Sequence, residues 1–243
     1  RVSAPPASLR GALRVVGLVA AGSTTNPTSQ TTAVQTSSKP MTSTAHSTLL
    51  DHAFRVGGCL CASERRDLGL SDVSMDENGY IMAYVPSNIS ENEPTVGFIA
   101  HYDTSPDFNG KDVNPQIWED YNGGDLVLNA ATGFTLSSEK FPSLKKYVGK
   151  TLITTDGTSL LGADDKAGVA EIVTAAEYLL AHPDIKHGRI AIGFTPDEEI
   201  GRGADKVNIK KLGAQYGYTM DGESLGHLEN ETFSADGVSI IIN

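Results

Sequence analysis

Side chains that could bind a metal ion follow three apolar runs of the sequence, directly after each run ends. The runs at 96–100, 189–194 and 216–220 have the composition of buried strands. The side chains that follow the three runs are His101 and Asp103, then Asp197, Glu198 and Glu199, and then Asp221. A fourth group, Asp164 and Asp165, precedes the clearest helix. Ligand sites in open α/β sheets form at the carboxyl ends of strands, so we expect the four groups to converge on one edge of one sheet. Carboxylates gathered there repel one another unless a cation lies among them, and the pattern therefore predicts a metal site.

Each of these groups also has a simpler structural explanation when it is taken alone. Asp164 or Asp165 before a helix is typical of an N-cap. Adjacent glutamates usually lie on a solvated surface, and a lone histidine after a strand is usually a hydrogen-bonded structural residue. The coincidence of all four groups at strand ends favours the metal site over these separate explanations.

The spacing within the groups indicates different tasks for their members. His101 and Asp103 are two residues apart and face the same side of an extended chain, so Asp103 can orient the imidazole. Glu198 and Glu199 are neighbours whose side chains diverge in an extended segment. One of them can bind metal while the other faces the attacking water as a general base.

The elements that must position these residues alternate along the chain. A turn at 76–79 precedes a strand at 80–85, and apolar residues at helical spacing predict a helix over 167–180 that His182 and Pro183 end. A shorter helix is expected at 204–212. Strands alternating with helices predict an α/β fold with right-handed βαβ units and a largely parallel sheet.

Four ordered stretches of the sequence, at 101–107, 161–168, 195–199 and 218–222, resemble those of the peptidase T family. This is a family of tripeptide aminopeptidases among the two-zinc aminoacylase and carboxypeptidase-like enzymes. The likeness runs from about Leu68 to the last residue, and segments 112–117 and 121–125 strengthen it. It implies a three-layer sandwich of the zinc-exopeptidase type, into which a lid and dimerisation domain is inserted.

The resemblance also implies a role for each site residue. His101 and Asp221 would hold one zinc, Asp164 would bridge both, and Glu199 would hold the other. Glu198 would be the general base and Asp103 the catalytic carboxylate behind the histidine, with a cis peptide between Asp164 and Asp165. Two zinc ions per subunit, a tripeptide substrate and a homodimer are expected on the same basis.

The sequence departs from the family pattern at both ends. Residues 1–66 form a Ser/Thr-rich segment that matches poorly, 67–232 a partial catalytic domain, and 233–243 the first strand of a truncated lid domain. The family's last histidine ligand is not matched, since His227 falls on no motif. We therefore expect an incomplete fragment whose second zinc lacks a ligand. A related two-zinc deacylase, desuccinylase or carboxypeptidase, or an inactive metal-binding remnant, are the alternatives.

Composition excludes several other classes of protein. The formal net charge of −11 argues against a nucleic acid or an anionic membrane as the main partner. Two cysteines exclude a disulfide framework, and no apolar stretch approaches a transmembrane length, so a cytoplasmic location is expected. The segment 222–226 fits the G-x-S-x-G pattern of serine hydrolases, but it lacks a following helix and a downstream acid and histidine.

Overall fold

The computed structural model describes residues 69–89, 92–222 and 228, together with the backbone of 17–19 and 33–35. Most of the Ser/Thr-rich segment 1–66, the strand expected at 233–243, His227 and most of the 222–226 segment lie outside the described residues. The strands are β1 (Gly17–Val19), β2 (Ala33–Gln35), β3 (Ser71–Met75), β4 (Ile81–Val85), β5 (Val96–His101), β6 (Pro115–Trp118), β7 (Leu126–Asn129), β8 (Phe134–Leu136), β9 (Leu152–Thr155), β10 (Ile190–Thr195) and β11 (Tyr216–Thr219). The α-helices are α1 (Ala163–Ala181) and α2 (Ile209–Leu212), and 3₁₀ helices span Pro142–Tyr147 and Glu198–Ile200.

A five-stranded sheet in the order β11-β5-β10-β4-β3 carries the predicted strands. The pairs β11–β5 and β5–β10 are parallel, whereas β10–β4 and β4–β3 are antiparallel. The antiparallel pairing of β3 and β4 follows from the predicted turn, where the Asp76 amide donates to the Tyr80 carbonyl and makes the two strands a hairpin. The predicted α/β class is confirmed. The sheet is mixed in pairing, and only β4 runs against the other four strands.

The two faces of this sheet pack against different helices. On one face, α1 buries Val169, Ile172 and Val173 in a cluster with residues of β4 and β10, such as Ala83 and Phe194. On the other face, Leu212 of α2 lies with the alternate residues of β4 and β10. Successive strand residues point to opposite faces, which is why β4 is buried along its whole length. The three-layer sandwich with an inserted lid domain stays a prediction.

Residues 112–155, which we name the excursion, lie between β5 and α1 in the chain and form sheets of their own. Strands β6 and β9 pair antiparallel, β9 continues to β2 and β1, and β7 and β8 form a separate hairpin. A cluster around Tyr121, Leu136, Leu144 and Leu152 is its core. A second cluster joins the excursion to the start of α1, because Ile153 of β9 packs with the first-turn residues of that helix.

The predicted helix at 204–212 is shorter than expected. Only Ile209–Leu212 is α-helical, since Asn208 caps it by accepting a hydrogen bond from the Lys211 amide and Gly213 ends it in the left-handed conformation. Residues 203–206 form turns instead. Conversely, α1 begins earlier than predicted, at Ala163. No helix within the described ranges is long and apolar enough to cross a membrane.

Candidate metal centre

The predicted site residues meet at the carboxyl ends of the parallel strands. His101 is the last residue of β5 and lies beside Thr195, the last residue of β10. The Met220 amide donates to the Ile99 carbonyl (2.8 Å), which brings Asp221 to the same level of the sheet. The convergence on one sheet edge that the sequence predicts is therefore present in the structure.

His101 is the centre of the group. Its side chain is 2% exposed, and its Nε2 lies 2.8 Å from Oδ1 of Asp164, 3.7 Å from Oε2 of Glu198 and 3.9 Å from Oδ2 of Asp221. Its Nδ1 lies 3.2 Å from Oδ1 of Asp103. One ring nitrogen thus faces three carboxylates, while the other is held by a fourth.

Asp103 holds more than the imidazole. Its two carboxylate oxygens also accept hydrogen bonds from the backbone amides of Glu198 (3.2 Å) and Glu199 (3.0 Å). Those amides open a 3₁₀ turn that begins after Asp197, which has a left-handed φ of 61°. Asp103 therefore fixes the ring of His101 and the turn that carries both glutamates, which extends the orienting role predicted from its spacing.

The acidic pair before α1 divides its tasks between its two members. Asp164 faces His101, whereas Asp165 is 1% exposed and accepts hydrogen bonds from the amides of His101 (3.2 Å) and Gly168 (3.1 Å). The peptide between the two aspartates is cis, and both residues have non-helical backbone angles. The bond to Gly168, three residues on, is the geometry of an N-cap at the start of the regular part of α1. The capping interpretation thus holds for Asp165, and Asp164 is left free for the site.

The clustering of carboxylates shifts their acid–base equilibria. Burial would lower the pKa of His101, but its hydrogen bond to Asp164 and the surrounding acidic charges raise it to about 9. The same bond to His101 lowers the pKa of Asp164. Burial and then the charge of Asp164 raise the pKa of Asp221 to about 7. The hydrogen bond between His101 and Asp164 therefore favours the protonated imidazole and the ionised carboxylate.

These residues fit a bound divalent metal ion. Ligand atoms of His101, Asp164 and Glu199 all lie within 4.8 Å of one another, and so do those of His101, Glu198 and Asp221. One imidazole nitrogen with carboxylate oxygens is a donor set that zinc accepts. The contact of Nδ1 with Asp103 leaves Nε2 as the ligand, in the carboxylate–histidine–metal arrangement that is common around zinc.

One residue that matters for the site, Gly168, is absent from the predicted set. Gly168 allows the residue after β11 to approach α1 closely. A Cβ on Gly168 would collide with the carbonyl oxygen of Met220 and lie 2.5 Å from Oδ1 of Asp165. A glycine inside a strong helical pattern is the sequence signal that could have identified this contact.

Comparison with known proteins finds peptidases among the curated relatives and the solved structures. No family model matches it. Curated relatives named Peptidase T are 59% identical in Caldanaerobacter subterraneus subsp. tengcongensis (182 residues), 58% in Halothermothrix orenii (184 residues) and 55% in Bacillus subtilis strain 168 (185 residues). These alignments cover 75–76% of this chain but only 44–45% of the relatives.

Solved structures agree at the level of the fold. Aminopeptidase PepT from Bacillus cereus ATCC 10987 matches with a TM-score of 0.53 and 24% identity, over 72% of this chain and 43% of that protein. A tripeptidase from Staphylococcus aureus subsp. aureus Mu50 matches with a TM-score of 0.50, 24% identity and the same coverage. The resemblance that the four motifs carry is therefore confirmed: this chain is homologous to a part of peptidase T that makes up somewhat less than half of that protein.

Proposed function

We propose that this chain carries the catalytic half-site of a zinc-dependent aminopeptidase that removes the N-terminal residue from tripeptides. The observation that carries the proposal is the meeting of one buried histidine and four carboxylates at a single sheet edge, with ligand atoms within 4.8 Å in each of two sets. His101 and Asp221 would hold one zinc, Asp164 would bridge, and Glu199 would hold a second zinc.

The other residues of the site would move and position protons. Bound zinc supplies Lewis acidity, which makes water more acidic and polarises a carbonyl group. Glu198, whose side chain is 49% exposed, is accessible enough to take a proton from the attacking water and to return it to the leaving amine. Asp103 keeps the Glu198 backbone and the His101 ring in a fixed relation while this happens.

The substrate class is supported by the relatives rather than by the site. The relatives are named Peptidase T, and one structural neighbour is described as a tripeptidase. The chain spans less than half of the length of those relatives. The tripeptide length, the homodimer and the cytoplasmic location remain predictions.

Metal analysis combined with a hydrolysis assay tests this function. We expect the full chain to bind zinc, and any cleavage of Ala-Ala-Ala to stop with a chelator and to resist a serine-directed reagent. N-acylated peptides are the matched control substrates, and their preferential cleavage would favour a deacylase or carboxypeptidase. Zinc near one equivalent without hydrolysis would support the inactive metal-binding alternative. Two bound equivalents with turnover would refute the expectation that the second zinc lacks a ligand.

A further inference from the structure

The tip of the β3–β4 hairpin contacts a segment, residues 202–206, that follows the turn bearing the two glutamates. Tyr80, at the base of this tip, is 5% exposed. Its hydroxyl donates to the Arg202 carbonyl (3.4 Å) and accepts a hydrogen bond from the Lys206 amide (3.3 Å). In addition, Nζ of Lys206 donates to Oδ1 of Asn78 (2.8 Å). The segment is therefore attached to the hairpin at both of its ends.

The same hairpin tip contacts the chain beside the buried histidine. The Tyr102 hydroxyl donates to the Gly79 carbonyl (3.0 Å), and Tyr102 stands between His101 and Asp103 in the sequence. The hairpin tip thus joins the two loops that carry site residues, the one after β5 and the one after β10.

Gly203 of the attached segment lies directly against Glu198. A Cβ built on Gly203 would lie 3.1 Å from Cα, 3.2 Å from Cβ and 3.4 Å from Cγ of Glu198. Carbon atoms at optimal contact are about 3.5–4.0 Å apart, so the glycine backbone leaves no room for a side chain there. The turn itself is closed, because the Gly201 amide donates to the Glu198 carbonyl (2.7 Å) and the Arg202 amide to the Asp197 carbonyl (2.9 Å). A movement of the segment is therefore transmitted to Glu198.

We propose that Tyr80 is a positioning residue for Glu198. Its hydroxyl holds the segment 202–206 in place, and Gly203 in turn supports the stem of the glutamate where the carboxylate can reach the attacking water. Tyr80 acts through Gly203 and not by contact with metal or substrate. The inference rests on the proposed function, in which Glu198 is the general base. Small displacements of a catalytic group are costly, since about 1 Å can lower a rate about 10²-fold.

Tyr80→Phe tests this role because it removes the hydroxyl and keeps the ring, and Tyr121→Phe is the matched control. Tyr121 is 3% exposed, and its hydroxyl donates to the Gly124 carbonyl (2.6 Å) in the excursion. Each variant therefore loses one hydroxyl of a buried tyrosine that donates to a backbone carbonyl. Residue-resolved amide hydrogen exchange of the full chain, without added metal, compares them with the parent.

The pattern of exchange separates positioning from a general loss of stability. In Y80F we expect exchange on the order of tenfold faster at the amides of Lys206, Gly201 and Glu198, and unchanged exchange in the excursion. Y121F should leave those three amides unchanged. Faster exchange at Lys206 alone would show that the segment moves without Glu198 and would overturn the inference. An equal acceleration throughout the chain would show only lower stability and would overturn it as well.

Kinetics of the zinc-loaded chain on Ala-Ala-Ala give a second measurement. Y80F should lower kcat on the order of tenfold and leave KM and zinc content unchanged, because the base is displaced and the ligands are not. In the Glu198→Gln background, Y80F should lower the residual rate by less than about twofold, since the group through which it acts is already absent. An undiminished tenfold loss in that background would contradict the proposal.

Gly203→Ala perturbs the same contact from its other side and serves if Y80F does not fold. The added methyl presses on the stem of Glu198, so exchange at the Glu198 and Gly201 amides should rise and kcat should fall, as in Y80F. Exchange and rate equal to those of the parent would refute the contact. If the unaltered chain hydrolyses no peptide, the proposed function fails, and the exchange comparison still decides whether Tyr80 positions Glu198.

Discussion

The five-stranded sheet and the excursion are both built on buried apolar clusters, but their polar groups are used differently. In the excursion, side chains bond between its own strands: Trp118 Nε1 donates to Thr154 Oγ1 (3.0 Å), and Gln116 Nε2 donates to the Leu128 carbonyl (2.9 Å). At the sheet edge, buried His101 of β5 bonds to the two aspartates of α1, and Asp103 behind it bonds to the 3₁₀ turn at Glu198–Ile200. These two bonds join strands of the excursion to one another, whereas the bonds at the sheet edge join separate elements around one histidine.

Strand direction explains this difference. The carboxyl ends of β5, β10 and β11 lie on one edge because the three strands are parallel, so whatever follows them is brought together. The excursion strands are antiparallel, and neighbouring strands end on opposite sides. We therefore expect changes at the sheet edge to affect chemistry, and changes in the excursion to affect stability alone.

Glu198→Gln should have the largest effect on activity. The amide keeps the shape of the side chain but cannot accept the proton of water, and general-base catalysis contributes about 10²–10⁴-fold. We expect peptide hydrolysis to fall by about 10³-fold, roughly 4 kcal/mol, with zinc content unchanged. Steady-state kinetics and metal analysis of the same sample measure both. Loss of zinc in this variant would instead make Glu198 a ligand.

Gly168→Ala should disturb the site without removing any of its ligands. The added methyl collides with the Met220 carbonyl, next to Asp221 in the chain, and with Asp165. Overpacking of this kind costs about 1–3 kcal/mol, although alanine is the better helix former by about 1 kcal/mol. The two effects together should lower the free energy of unfolding by up to about 2 kcal/mol, and zinc affinity should fall by about tenfold. A stabilised variant would show that α1 and β11 are less closely packed.

Leu144→Ala tests the other side of the comparison. Leu144 is 3% exposed in the excursion core, and truncating such a leucine costs about 2–5 kcal/mol. Denaturant unfolding should reveal a loss of about 3 kcal/mol, while the zinc Kd of the folded variant stays unchanged. A weaker zinc Kd would mean that the excursion also shapes the metal centre, through its contact with the start of α1.

Glu171 of α1 makes stability depend on pH at a distance from the ligands. Burial raises its pKa from 4.5 to about 8. The unfolded chain loses this proton at lower pH than the folded chain, so the contribution of Glu171 to stability is greatest below pH 4.5 and declines as pH rises from about 4.5 to 8. At pH 9, Glu171→Gln should be more stable than the parent by about 2 kcal/mol, a value reduced for partial solvent access. The exposed Glu139→Gln is the control, and an equal gain there would refute the assignment to Glu171.

Gly193→Ala should have the smallest effect, and it is the matched control for Gly168→Ala. A Cβ on Gly193 meets Ile99 at 3.5 Å and Leu212 at 3.6 Å, which are ordinary contacts, and it faces an apolar cavity of about 30 Å³. Because glycine in a strand interior costs about 0.5–1 kcal/mol relative to alanine, we expect a gain of about 0.5 kcal/mol. Thermal unfolding measures it, and a clear destabilisation would indicate that the sheet cannot accept the methyl group.

The sequence was informative where its patterns are local and repetitive. Strands β4, β5, β10 and β11 and helix α1 lie within a few residues of their predicted bounds, because each is a continuous apolar run or a clear helical period. The strands of the excursion were not predicted. They are three or four residues long, and segments such as Phe134–Leu136 are largely exposed, so they carry no apolar run.

The site was predictable for a different reason. Chemistry-bearing residues after parallel strands must converge, so His101, Glu198 and Asp221 could be brought together without coordinates. The division of tasks between Asp164 and Asp165 could not be predicted, because it depends on non-helical backbone angles that only these two residues of α1 adopt. The roles assigned to the individual ligands remain predictions.

The three bonds of Asp103 have a consequence for the interpretation of mutant kinetics. Removing this carboxylate frees the imidazole and also unties the turn that carries Glu198 and Glu199. Loss of Asp103 therefore perturbs metal binding and proton transfer at the same time. Its effect on activity is not additive with the effects of variants of the residues that it holds. A variant of Asp103 combined with Glu198→Gln should be little worse than the more severe single variant. Epistasis of that kind would identify the three residues as one functional unit.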